Sequence, residues 1–488
     1  MIVVDLGGYD PALTGVGVAG NRLVQDSRSV EPGDIFVAIG STGAPGLAFA
    51  QDALARGATA VLFDSSLADR VTVVGAHGIA GLRSQLGRLA ADFAGNPSEQ
   101  LTLVGVTGTN GKTSIVQLLS QAWHALGIPS ASIGTLGAGV HGTPYTNTGL
   151  TTPPVTRVHE LLAGFRDAGA LTVAIEVSSH ALDQGRVAGA LFDIVVFTNI
   201  TRDHLDYHGT MEEYAAVKER IFDLPGTRAA VINLDDPYGA RFFAARAGDE
   251  GVIGVSSRGR ADALIRADDV RLTSRGIDFE LEIGKSRHPV STSLIGRFNV
   301  DNLLACAGVL HAQGIEAARI AAVLASLEPV FGRMNRIHPD ESLPLVVVDY
   351  AHTPDAISQS LSALAQYDHG RIITVFGCTG DRDRGKRPDM ARIVEAASDL
   401  VVVTDDDVHH EDGDRILADI RAGFEHPDAV VELRDRAAAI EYAIASAEAG
   451  DVVLIAGKGH EDYQVIGDEH VHFSDTEVAE RVLRARLG

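Results

Sequence analysis

Short apolar runs alternate with amphipathic segments through the middle of the chain. Residues 101–106 are a continuous apolar run, and residues 112–126 then carry apolar side chains at helical spacing. Further apolar runs of strand length follow at 171–177, 194–198 and 229–233. Buried strands that alternate with helices predict a parallel sheet with helices on its faces. This part of the chain is therefore predicted to be an α/β domain.

The N-terminal part has a different pattern. Residues 1–97 combine two strand-like runs, at 34–39 and 60–63, with one helical stretch at 48–55. The sequence Gly95-Asn96-Pro97-Ser98 has the composition of a turn and suits a linker. We therefore expect a small mixed domain that ends near residue 97.

From residue 331 onward, apolar strands again alternate with helical segments; the strands are predicted at 346–348, 372–376, 400–404 and 452–456. This pattern is typical of a doubly wound, Rossmann-like α/β unit. Just before it, residues 262–296 form shorter alternating runs, which predict an antiparallel extension, and two helices follow before residue 328.

Together these patterns predict an α/β protein of three domains. They are a small mixed N-terminal domain at 1–97, a central parallel-sheet domain of P-loop type at 98–330, and a Rossmann-like α/β domain at 331–488. A chain of 488 residues is long enough to give each domain its own core.

Composition narrows the choice of partner and compartment. The formal net charge is −24, which argues against nucleic acid or an anionic membrane as the main partner. Cys306 and Cys378 are the two cysteines, too few for a disulfide framework and typical of a reducing compartment. No apolar run reaches the roughly 20 residues of a membrane span. We expect a cytoplasmic monomer without membrane insertion.

Lysine is rare in this chain. Of the 41 Lys and Arg residues only five are Lys, and four of these lie beside glycines or carboxylates: Lys112, Lys218, Lys386 and Lys458. A chain that uses Arg for most of its positive charge retains Lys where a compact or modifiable amine is needed. These four positions are therefore candidates for functional residues.

A glycine-rich loop follows the first apolar strand of the middle part. Strand, loop, Lys-Thr and helix together form an arrangement that surrounds phosphates with backbone N–H groups at a helix N-terminus. We expect the side chain of Lys112 to reach the phosphates of a nucleotide and that of Thr113 to bind Mg²⁺. The loop residues that would bind the nucleotide are Gly108, Thr109, Asn110, Gly111, Lys112 and Thr113.

Two later strands of the middle part end in potential metal ligands. Glu176 ends one apolar strand, and His204 follows the next. Because the carboxyl ends of parallel strands lie at one edge of a sheet, we expect both side chains to converge near Lys112. A carboxylate, an imidazole and phosphate oxygens together suit Mg²⁺ or Mn²⁺.

These segments together resemble the Mur ligase family of ATP-dependent amide-bond ligases in peptidoglycan precursor synthesis, and within it the MurE type. The resemblance spans nearly the whole chain. It is carried by motifs in a fixed order: Asp26-Ser27-Arg28, Pro32-Gly33-Asp34, the loop 107–113, Thr151-Thr152-Pro153, the segments 176–182, 203–209, 296–302 and 349–355, Gly380-Asp381-Arg382-Asp383, and the segment 457–461.

The resemblance implies a reaction and a metal set. ATP would phosphorylate the terminal carboxylate of a UDP-MurNAc-dipeptide, and the amine of an incoming amino acid would then attack the acyl phosphate. Thr113 would hold one Mg²⁺. Glu176, His204 and Lys218 would hold a second one, with Lys218 carbamylated by CO₂. A carbamate supplies oxygen ligands, which Arg cannot do, so this role would explain why residue 218 is Lys.

The resemblance also implies binding residues in each domain. The N-terminal domain would bind the UDP group, the central domain ATP, and the C-terminal domain the incoming amino acid. The adenosine of ATP would be contacted by Asn302, Arg333 and Asp349, with His352 nearby. The UDP-sugar-peptide path would be lined by Ser27, Thr151, Thr152, Ser178, Gln184, Arg186 and His208. The incoming amino acid would be held by Arg382, Asp406, His409, Gly457 and Glu461.

Two departures from the family pattern affect substrate contacts. Ala44-Pro45-Gly46-Leu47 stands where the family usually has Asp-Gly-His, so uridine contacts there are in doubt. Members that add meso-diaminopimelate carry Asp-Asn-Pro-Arg, whose Arg binds the second carboxylate of that substrate. Here the aligned residues are Asp406-Asp407-Val408-His409.

The second departure favours a basic amino acid. A neutral His offers one donor where Arg offers a bidentate pair, and several nearby side chains are acidic: Asp405, Asp406, Asp407, Glu411 and Asp412. We therefore expect L-lysine first, then L-ornithine or diaminobutyrate, with homoserine also open. The alternative is meso-diaminopimelate, with Arg384 or Arg387 in the role of the missing Arg.

Two further alternatives concern the whole protein. One is a ligase of the same fold with another substrate, such as a folylpolyglutamate synthase. The Asp26-Ser27-Arg28 and Thr151-Thr152-Pro153 motifs argue against it. The other is a non-catalytic Mur-like protein. Its functional residues would be free to change, yet Lys112, Glu176 and Lys218 are all present.

Overall fold

A computed structural model describes residues 1–39, 46–70, 75–273, 276–338, 340, 342–366 and 369–487. Ala44 and Pro45, where uridine contacts are in doubt, lie outside these residues. The chain divides into two compact units. The first comprises Met1–Thr107, Leu126–Val195 and Val217–Ala229, and the second Gly108–Ala125, Val196–Ala216 and Ala230–Gly488. These units cut the chain at other places than the predicted domain boundaries, which stay predictions.

The N-terminal part of the first unit contains short strands and two helices: β1 (Ile2–Asp5), β2 (Gly17–Gly20), β3 (Leu23–Val24), β4 (Ile35–Val37), α1 (Ala50–Ala55), β5 (Ala60–Asp64), β6 (Ala76–Ile79) and α2 (Leu82–Phe93). Strands β3, β4, β5 and β6 form a parallel sheet in this order, and β1 pairs with β2 antiparallel. The predicted mixed composition of this part is confirmed.

The middle of the chain supplies elements to both units: β7 (Thr102–Thr107), α3 (Lys112–Ala125), β8 (Ser130–Gly134), β9 (Gly137–Val140), α4 (Val155–Asp167), β10 (Thr172–Glu176), α5 (Ser179–Asp183), β11 (Ile194–Phe197), α6 (Leu205–His208), α7 (Met211–Glu219), β12 (Ala229–Asn233), α8 (Pro237–Ala245), β13 (Val252–Ser256), β14 (Ile265–Thr273), β15 (Gly276–Ile283), β16 (Ser286–Thr292), α9 (Phe298–Ala312) and α10 (Ala317–Ala325). Each predicted strand of this part is present, displaced by two residues or fewer at either end.

In the first unit, β10 lies between β7 and β8 and runs parallel to both, while β9 pairs antiparallel with β8. All five residues of β10 are buried, as expected for a strand with helices on both faces. The register places Glu176 beside Val106. The carboxyl ends of β7 and β10 are therefore adjacent.

In the second unit, β12, β13 and β14 are parallel neighbours, and β14, β15 and β16 continue as an antiparallel sheet. The predicted antiparallel extension is therefore confirmed. The two helices expected after it are α9 and α10.

The C-terminal part of the second unit again alternates strands with helices: β17 (Asn335–Ile337), β18 (Leu345–Asp349), α11 (Pro354–Leu364), β19 (Ile372–Phe376), α12 (Lys386–Ala397), β20 (Leu400–Val403), α13 (Gly413–Arg421), β21 (Val431–Glu432), α14 (Arg436–Ser446), β22 (Val452–Ala456), β23 (Tyr463–Ile466), β24 (Glu469–His472) and α15 (Asp475–Leu487). Its sheet has the order β17-β18-β22-β19-β20-β21, parallel except for β17.

Both faces of this sheet are buried. On one face, Val347 and Leu454 pack against α11, α12 and α13. On the other face, Val348 and Ile455 pack against α14 and α15. Helices on both sides of a parallel sheet are the doubly wound arrangement that the strand pattern predicts. None of the helices in the described residues combines the length and the apolar character that a bilayer crossing requires.

Candidate active site

The glycine-rich loop lies between β7 and α3. Gly108 and Gly111 both have positive φ, +150° and +87°. A Cβ at Gly108 would lie 1.8 Å from Thr198 Oγ1, and one at Gly111 would lie 2.7 Å from Asn302 Oδ1. Only glycine satisfies both constraints. The backbone therefore turns closely into the N-terminus of α3, where phosphate groups bind.

Residues 198–201 hold this loop in place. The Thr109 N–H donates to the Asn199 carbonyl at 2.8 Å, and the Asn110 N–H donates to Asn199 Oδ1 at 2.9 Å. Thr198 Oγ1 donates to the Asn110 carbonyl at 2.6 Å. These partners follow β11, whereas the glycine-rich loop follows β7. The residues after one strand therefore fix the loop that follows another strand.

Lys112 bends back over the loop from the first turn of α3. Its Nζ donates to the carbonyls of Gly108 at 2.9 Å and Thr109 at 2.8 Å. These two bonds hold the ammonium at the loop. This is the position that the predicted phosphate contact requires.

Arg333 joins the loop to the C-terminal part of the second unit. Its Nη2 donates to Thr113 Oγ1 at 2.9 Å, and its guanidinium carbon lies 4.3 Å from the centre of the Tyr350 ring. The Nε of Arg333 is buried and has no hydrogen-bond partner among the described residues. A buried cationic donor without an acceptor is costly and suits an anionic ligand.

Asp349 and His352 follow β18. The carboxylate of Asp349 accepts hydrogen bonds from the N–H groups of Met334 at 3.1 Å and Tyr350 at 2.9 Å, and from the hydroxyl of Ser360. The ring of His352 bonds the Tyr350 carbonyl at 2.8 Å. Burial lowers the pKa of His352 to about 4, so this imidazole is neutral at pH 7.

His204 has left-handed backbone geometry, with φ +54°. Its Nε2 lies 3.4 Å from Asp203 Oδ2. Burial alone would raise the pKa of Asp203, but the charges of His204, Lys386 and His352 outweigh burial and hold it at about 2. Asp203 is therefore ionised throughout the physiological range. It orients the imidazole of His204 beside the loop end 198–201.

In the first unit, Glu176 is buried and its carboxylate is held by one residue. Glu176 Oε1 accepts from the Thr135 N–H at 2.8 Å, and Oε2 accepts from the Thr135 hydroxyl at 3.1 Å. That hydroxyl also lies 3.1 Å from Thr151 Oγ1. A Cβ on Gly134 would lie 2.2 Å from Glu176 Oε1. The glycine therefore makes room for the carboxylate.

The residues predicted to line the UDP-sugar-peptide path lie together around Glu176. Thr152 Oγ1 donates to the Glu176 carbonyl at 2.6 Å and accepts from the Ser178 N–H at 3.1 Å. Arg186 donates to the Thr152 carbonyl at 2.9 Å and to Gln184 Oε1 at 2.7 Å. The first unit thus brings five predicted substrate residues and one predicted metal ligand into one cluster.

Three further predicted residues are buried. Lys218, in α7, is 1% exposed. Ser27, in the N-terminal part, is 5% exposed, and its hydroxyl contributes to a lowered pKa of Asp52. His208 packs on Tyr214 with 5.1 Å between ring centres.

In the second unit, two residues predicted to bind the incoming amino acid, Asp406 and Glu461, lie close to Lys458. Its Nζ lies 2.8 Å from Asp407, 3.1 Å from Glu461 and 3.6 Å from Asp406. Lys458 is fully buried. Burial raises the pKa of Glu461 to about 7; the ammonium of Lys458 opposes this shift, and the two aspartates add to it. Glu461 therefore changes charge near neutral pH.

The other residues predicted to bind the incoming amino acid are Gly457, His409 and Arg382. Gly457 has φ +123° and donates to the Asp349 carbonyl at 3.0 Å. His409, with φ +50°, donates its N–H to the Val465 carbonyl at 3.2 Å. Arg382 is exposed and has no ion-pair partner in the described part of the chain.

Several acidic side chains of the expected amino-acid site have cationic partners. Asp407 pairs with Lys458, and three other acidic side chains pair with arginines: Asp405 and Asp414 with Arg434, and Glu411 with Arg387. These pairs compensate part of the local negative charge, because Arg434 serves two carboxylates and Lys458 also lies beside Asp406 and Glu461. The preference for a basic amino acid depends on the charge that remains.

The arginines proposed as substitutes for the missing Arg are also engaged. Arg387 is fully buried and bonds Glu411 at 2.7 Å and Asp419 at 2.9 Å. Arg384 pairs with the same Asp419 at 2.8 Å. Neither guanidinium can therefore bind a substrate carboxylate without breaking an existing pair. Arg382 is the arginine of this segment that remains available.

The predicted metal ligands belong to different units. Glu176 and Lys218 are in the first, and Thr113 and His204 in the second, so their convergence stays a prediction. Among the described residues, no three His, Cys, Asp or Glu side chains cluster as a metal site.

Sequence reasoning missed several residues of the site. Thr135 holds both oxygens of Glu176, and Tyr350 lies between Arg333 and Glu461, with its hydroxyl 3.5 Å from Glu461 Oε1. Gly134-Thr135 directly after a predicted βα unit, and the Tyr next to Asp349, were the available signals. Their partners lie 41 and 111 residues away, so sequence spacing could not identify them.

Comparison with known proteins shows the family to which the chain belongs. The Mur ligase middle domain matches residues 106–310, and the Mur ligase glutamate ligase domain matches residues 332–459. A protein of Xanthomonas campestris pv. campestris (strain 8004) is 55% identical over 96% of this chain and 94% of its own. The chain belongs to the Mur ligase family. Its predicted α/β fold class and family are thereby confirmed.

The relatives share the name of one activity. The Xanthomonas protein is a UDP-N-acetylmuramoyl-L-alanyl-D-glutamate--2,6-diaminopimelate ligase, and so is a protein of Xylella fastidiosa (strain 9a5c) that is 56% identical over 95% of this chain and 94% of its own. A solved structure of a ligase with that name is 33% identical, covers all of both chains and has a TM-score of 0.69.

Proposed function

We propose that this protein is an ATP-dependent ligase that joins 2,6-diaminopimelate to UDP-N-acetylmuramoyl-L-alanyl-D-glutamate. The observation that carries the proposal is full-length identity of 55% to a ligase of that name. The intact phosphate loop and the cluster around Glu176 support it, because a binding protein would not need both.

ATP is a substrate in this proposal. The loop N–H groups and the N-terminus of α3 would bind its phosphates, with Lys112 as the compact cation on them. Arg333 would leave Thr113 and turn to the phosphates, which supply the acceptors that its Nε lacks. The terminal carboxylate of the dipeptide would then attack the γ-phosphorus, forming an acyl phosphate and releasing ADP.

The residues also fit Mg²⁺. Thr113 offers a hydroxyl, Glu176 a carboxylate and His204 an imidazole, and Lys218 would offer oxygens once carbamylated. Bound Mg²⁺ would neutralise charge on the phosphates. Glu176 retains lone pairs beyond its two bonds to Thr135. We include the carbamate on Lys218 and both Mg²⁺ sites in the proposal.

The incoming amino acid would bind at the Lys458 group. Glu461 and Asp406 would attract its ammonium groups, and Arg382 would take the distal carboxylate that Arg takes at position 409 in the family pattern. Attack of the amine on the acyl phosphate forms the C–N bond and releases phosphate. The ion pairs at Asp405, Asp407 and Glu411 compensate part of the negative charge that a substrate carboxylate would meet.

L-lysine is the second candidate for the incoming amino acid. His409 in place of Arg is the observation that favours it. The relatives favour 2,6-diaminopimelate, and the ion pairs of the acidic residues weaken the electrostatic argument for a purely basic substrate. The diaminopimelate alternative is therefore the one proposed here.

Phosphate release by the purified protein tests the proposal. Release should require ATP, the UDP-linked dipeptide and a diamino acid together, and Lys112→Ala should abolish it. Release that ignores the UDP-linked dipeptide, or that requires a folate substrate instead, would contradict the proposal. Absence of release with every combination would leave only a non-catalytic role.

A further inference from the structure

Lys386 is a buried lysine, 5% exposed. Among the described residues, none accepts a hydrogen bond from its ammonium, and no carboxylate oxygen lies within 4.0 Å of it. The other buried lysine of this unit, Lys458, has two carboxylates within 3.1 Å. The charge of Lys386 acts on Asp203 without a direct pair, so its ammonium keeps donors for an anion that comes from outside the chain.

The place of Lys386 in the fold also favours an anion. It is the first residue of α12, a helix of 12 residues, so the N-terminal end of the helix dipole adds to its charge. The preceding turn contacts the segment that carries His204. Arg202 pairs with Asp383 at 3.3 Å, and a Cβ on Gly385 would lie 2.1 Å from Arg202 Nη2.

The neighbours of Lys386 are groups of the proposed phosphate site. Arg202, the residue before Asp203, pairs with Asp383 in the turn that precedes Lys386. The charge of Lys386 adds to burial in lowering the pKa of His352 to about 4. Lys386 therefore lies in the field of the side chains that flank the phosphate loop and Arg333.

We propose that Lys386 is a catalytic residue that binds an oxygen of the phosphoryl group during its transfer from ATP to the dipeptide carboxylate. The inference rests on the proposed function. Lys386 forms no covalent bond and transfers no proton. In the step it assists, a bond forms between the carboxylate oxygen and the γ-phosphorus, and the bond from that phosphorus to ADP breaks.

Charge is the property that this role requires. The three non-bridging oxygens of the transferred group carry negative charge throughout the step, and a fixed ammonium stabilises that charge without reorganisation. Glutamine at 386 would keep a long polar side chain without the charge. Arginine would keep the charge with altered geometry. Comparing the exchange rates of Lys386→Gln and Lys386→Arg therefore separates the effect of the charge from the effect of a long polar side chain.

The test is positional isotope exchange in ATP labelled at the β,γ-bridge, with UDP-linked dipeptide and no amino acid, because this exchange reports acyl-phosphate formation alone. Lys386→Gln should lower the exchange rate by about 100-fold with nucleotide affinity unchanged. Lys386→Arg should retain about a tenth of the rate. Lys285→Gln, at an exposed lysine in the turn between β15 and β16, is the matched control.

Equal exchange rates in the Gln and Arg variants would overturn the inference. So would a Gln variant that unfolds or loses nucleotide affinity, because Lys386 would then be a structural cation. Absence of exchange in the wild-type protein would instead contradict the proposed function. The two failures are therefore distinguishable.

Discussion

At the scale of the single residue, Lys112 and Lys218 have opposite proposed roles: Lys112 supplies a cation, and Lys218 supplies an anion once it is carbamylated. Lys112 presents an ammonium at the phosphate loop, 2.9 Å from the Gly108 carbonyl. Lys218 is buried in α7, where the proposal makes it an oxygen ligand after carbamylation. Replacing each by alanine removes a cation in one case and an anion in the other.

Lys218→Ala should lower kcat by at least about 100-fold, as expected when a group that positions a metal is lost. Added short-chain carboxylate should restore part of the activity, since it can supply the missing oxygens. Steady-state phosphate release measures both effects. Lys112→Ala is the control: it should lose ATP turnover without rescue, because it lacks a cation. Rescue of Lys112→Ala by carboxylate would mean that the two roles are assigned the wrong way round.

Glu461 should give the reaction a pH dependence. Burial raises its pKa to about 7, so the carboxylate forms as the pH rises through that value. The KM for the diamino acid should therefore fall between about pH 6 and 8, where the neighbouring ammonium of the substrate gains a partner. Glu461→Gln should flatten this profile. An unchanged profile in the variant would show that another group titrates.

The raised pKa of Glu461 also makes the free energy of unfolding depend on pH. A carboxyl whose folded pKa lies above its unfolded value of 4.5 stabilises the fold most below that value. The contribution is lost as the pH rises toward 7. Glu461→Gln should accordingly be more stabilising at pH 8 than at pH 5 in urea unfolding.

At the scale of elements, one buried ion pair connects three of them. Arg436 begins α14, Asp475 begins α15, and both are fully buried. The guanidinium bonds the carboxylate at 2.7 and 2.8 Å and the Ala456 carbonyl, at the end of β22, at 3.0 Å. The pair therefore fixes the ends of two helices to the strand that leads into the Lys458 group.

Arg436→Met should destabilise the protein by about 3–5 kcal/mol, because it leaves Asp475 as a buried, unpaired charge. Urea unfolding followed by circular dichroism measures this. Arg434→Met is the matched control: its guanidinium is 42% exposed, so the loss should stay below about 1 kcal/mol. Similar losses in both variants would show that the buried pair contributes no more than an exposed one.

The elements themselves were largely predictable from the pattern of apolar positions. The strands at β7, β10, β11 and β12 are continuous apolar runs because helices cover both faces of such strands. The edge strand β9 (Gly137–Val140), rich in glycine, gave no such signal. The contacts between elements were less predictable: the apolar pattern indicates that Glu176 ends a buried strand, but not that Thr135 holds its carboxylate.

At the scale of the whole molecule, the order of motifs along the chain identified the family, while the ion pairs of the amino-acid site could not be read from sequence. Two of the acidic residues at 405–411 pair with cations that lie far along the chain: Arg434 is 29 residues from Asp405, and Lys458 is 51 residues from Asp407. Local composition therefore showed the acidic residues, which favour L-lysine, but not their partners.

The identity of the added amino acid is the central claim, and an amino-acid panel tests it directly. Purified protein, ATP, Mg²⁺ and UDP-N-acetylmuramoyl-L-alanyl-D-glutamate would be combined with meso-diaminopimelate, L-lysine, L-ornithine, diaminobutyrate or homoserine, and kcat/KM measured for each. We predict the highest kcat/KM with meso-diaminopimelate and a loss of that preference in Arg382→Gln. A higher kcat/KM with L-lysine would contradict the account and would indicate that His409 determines the specificity.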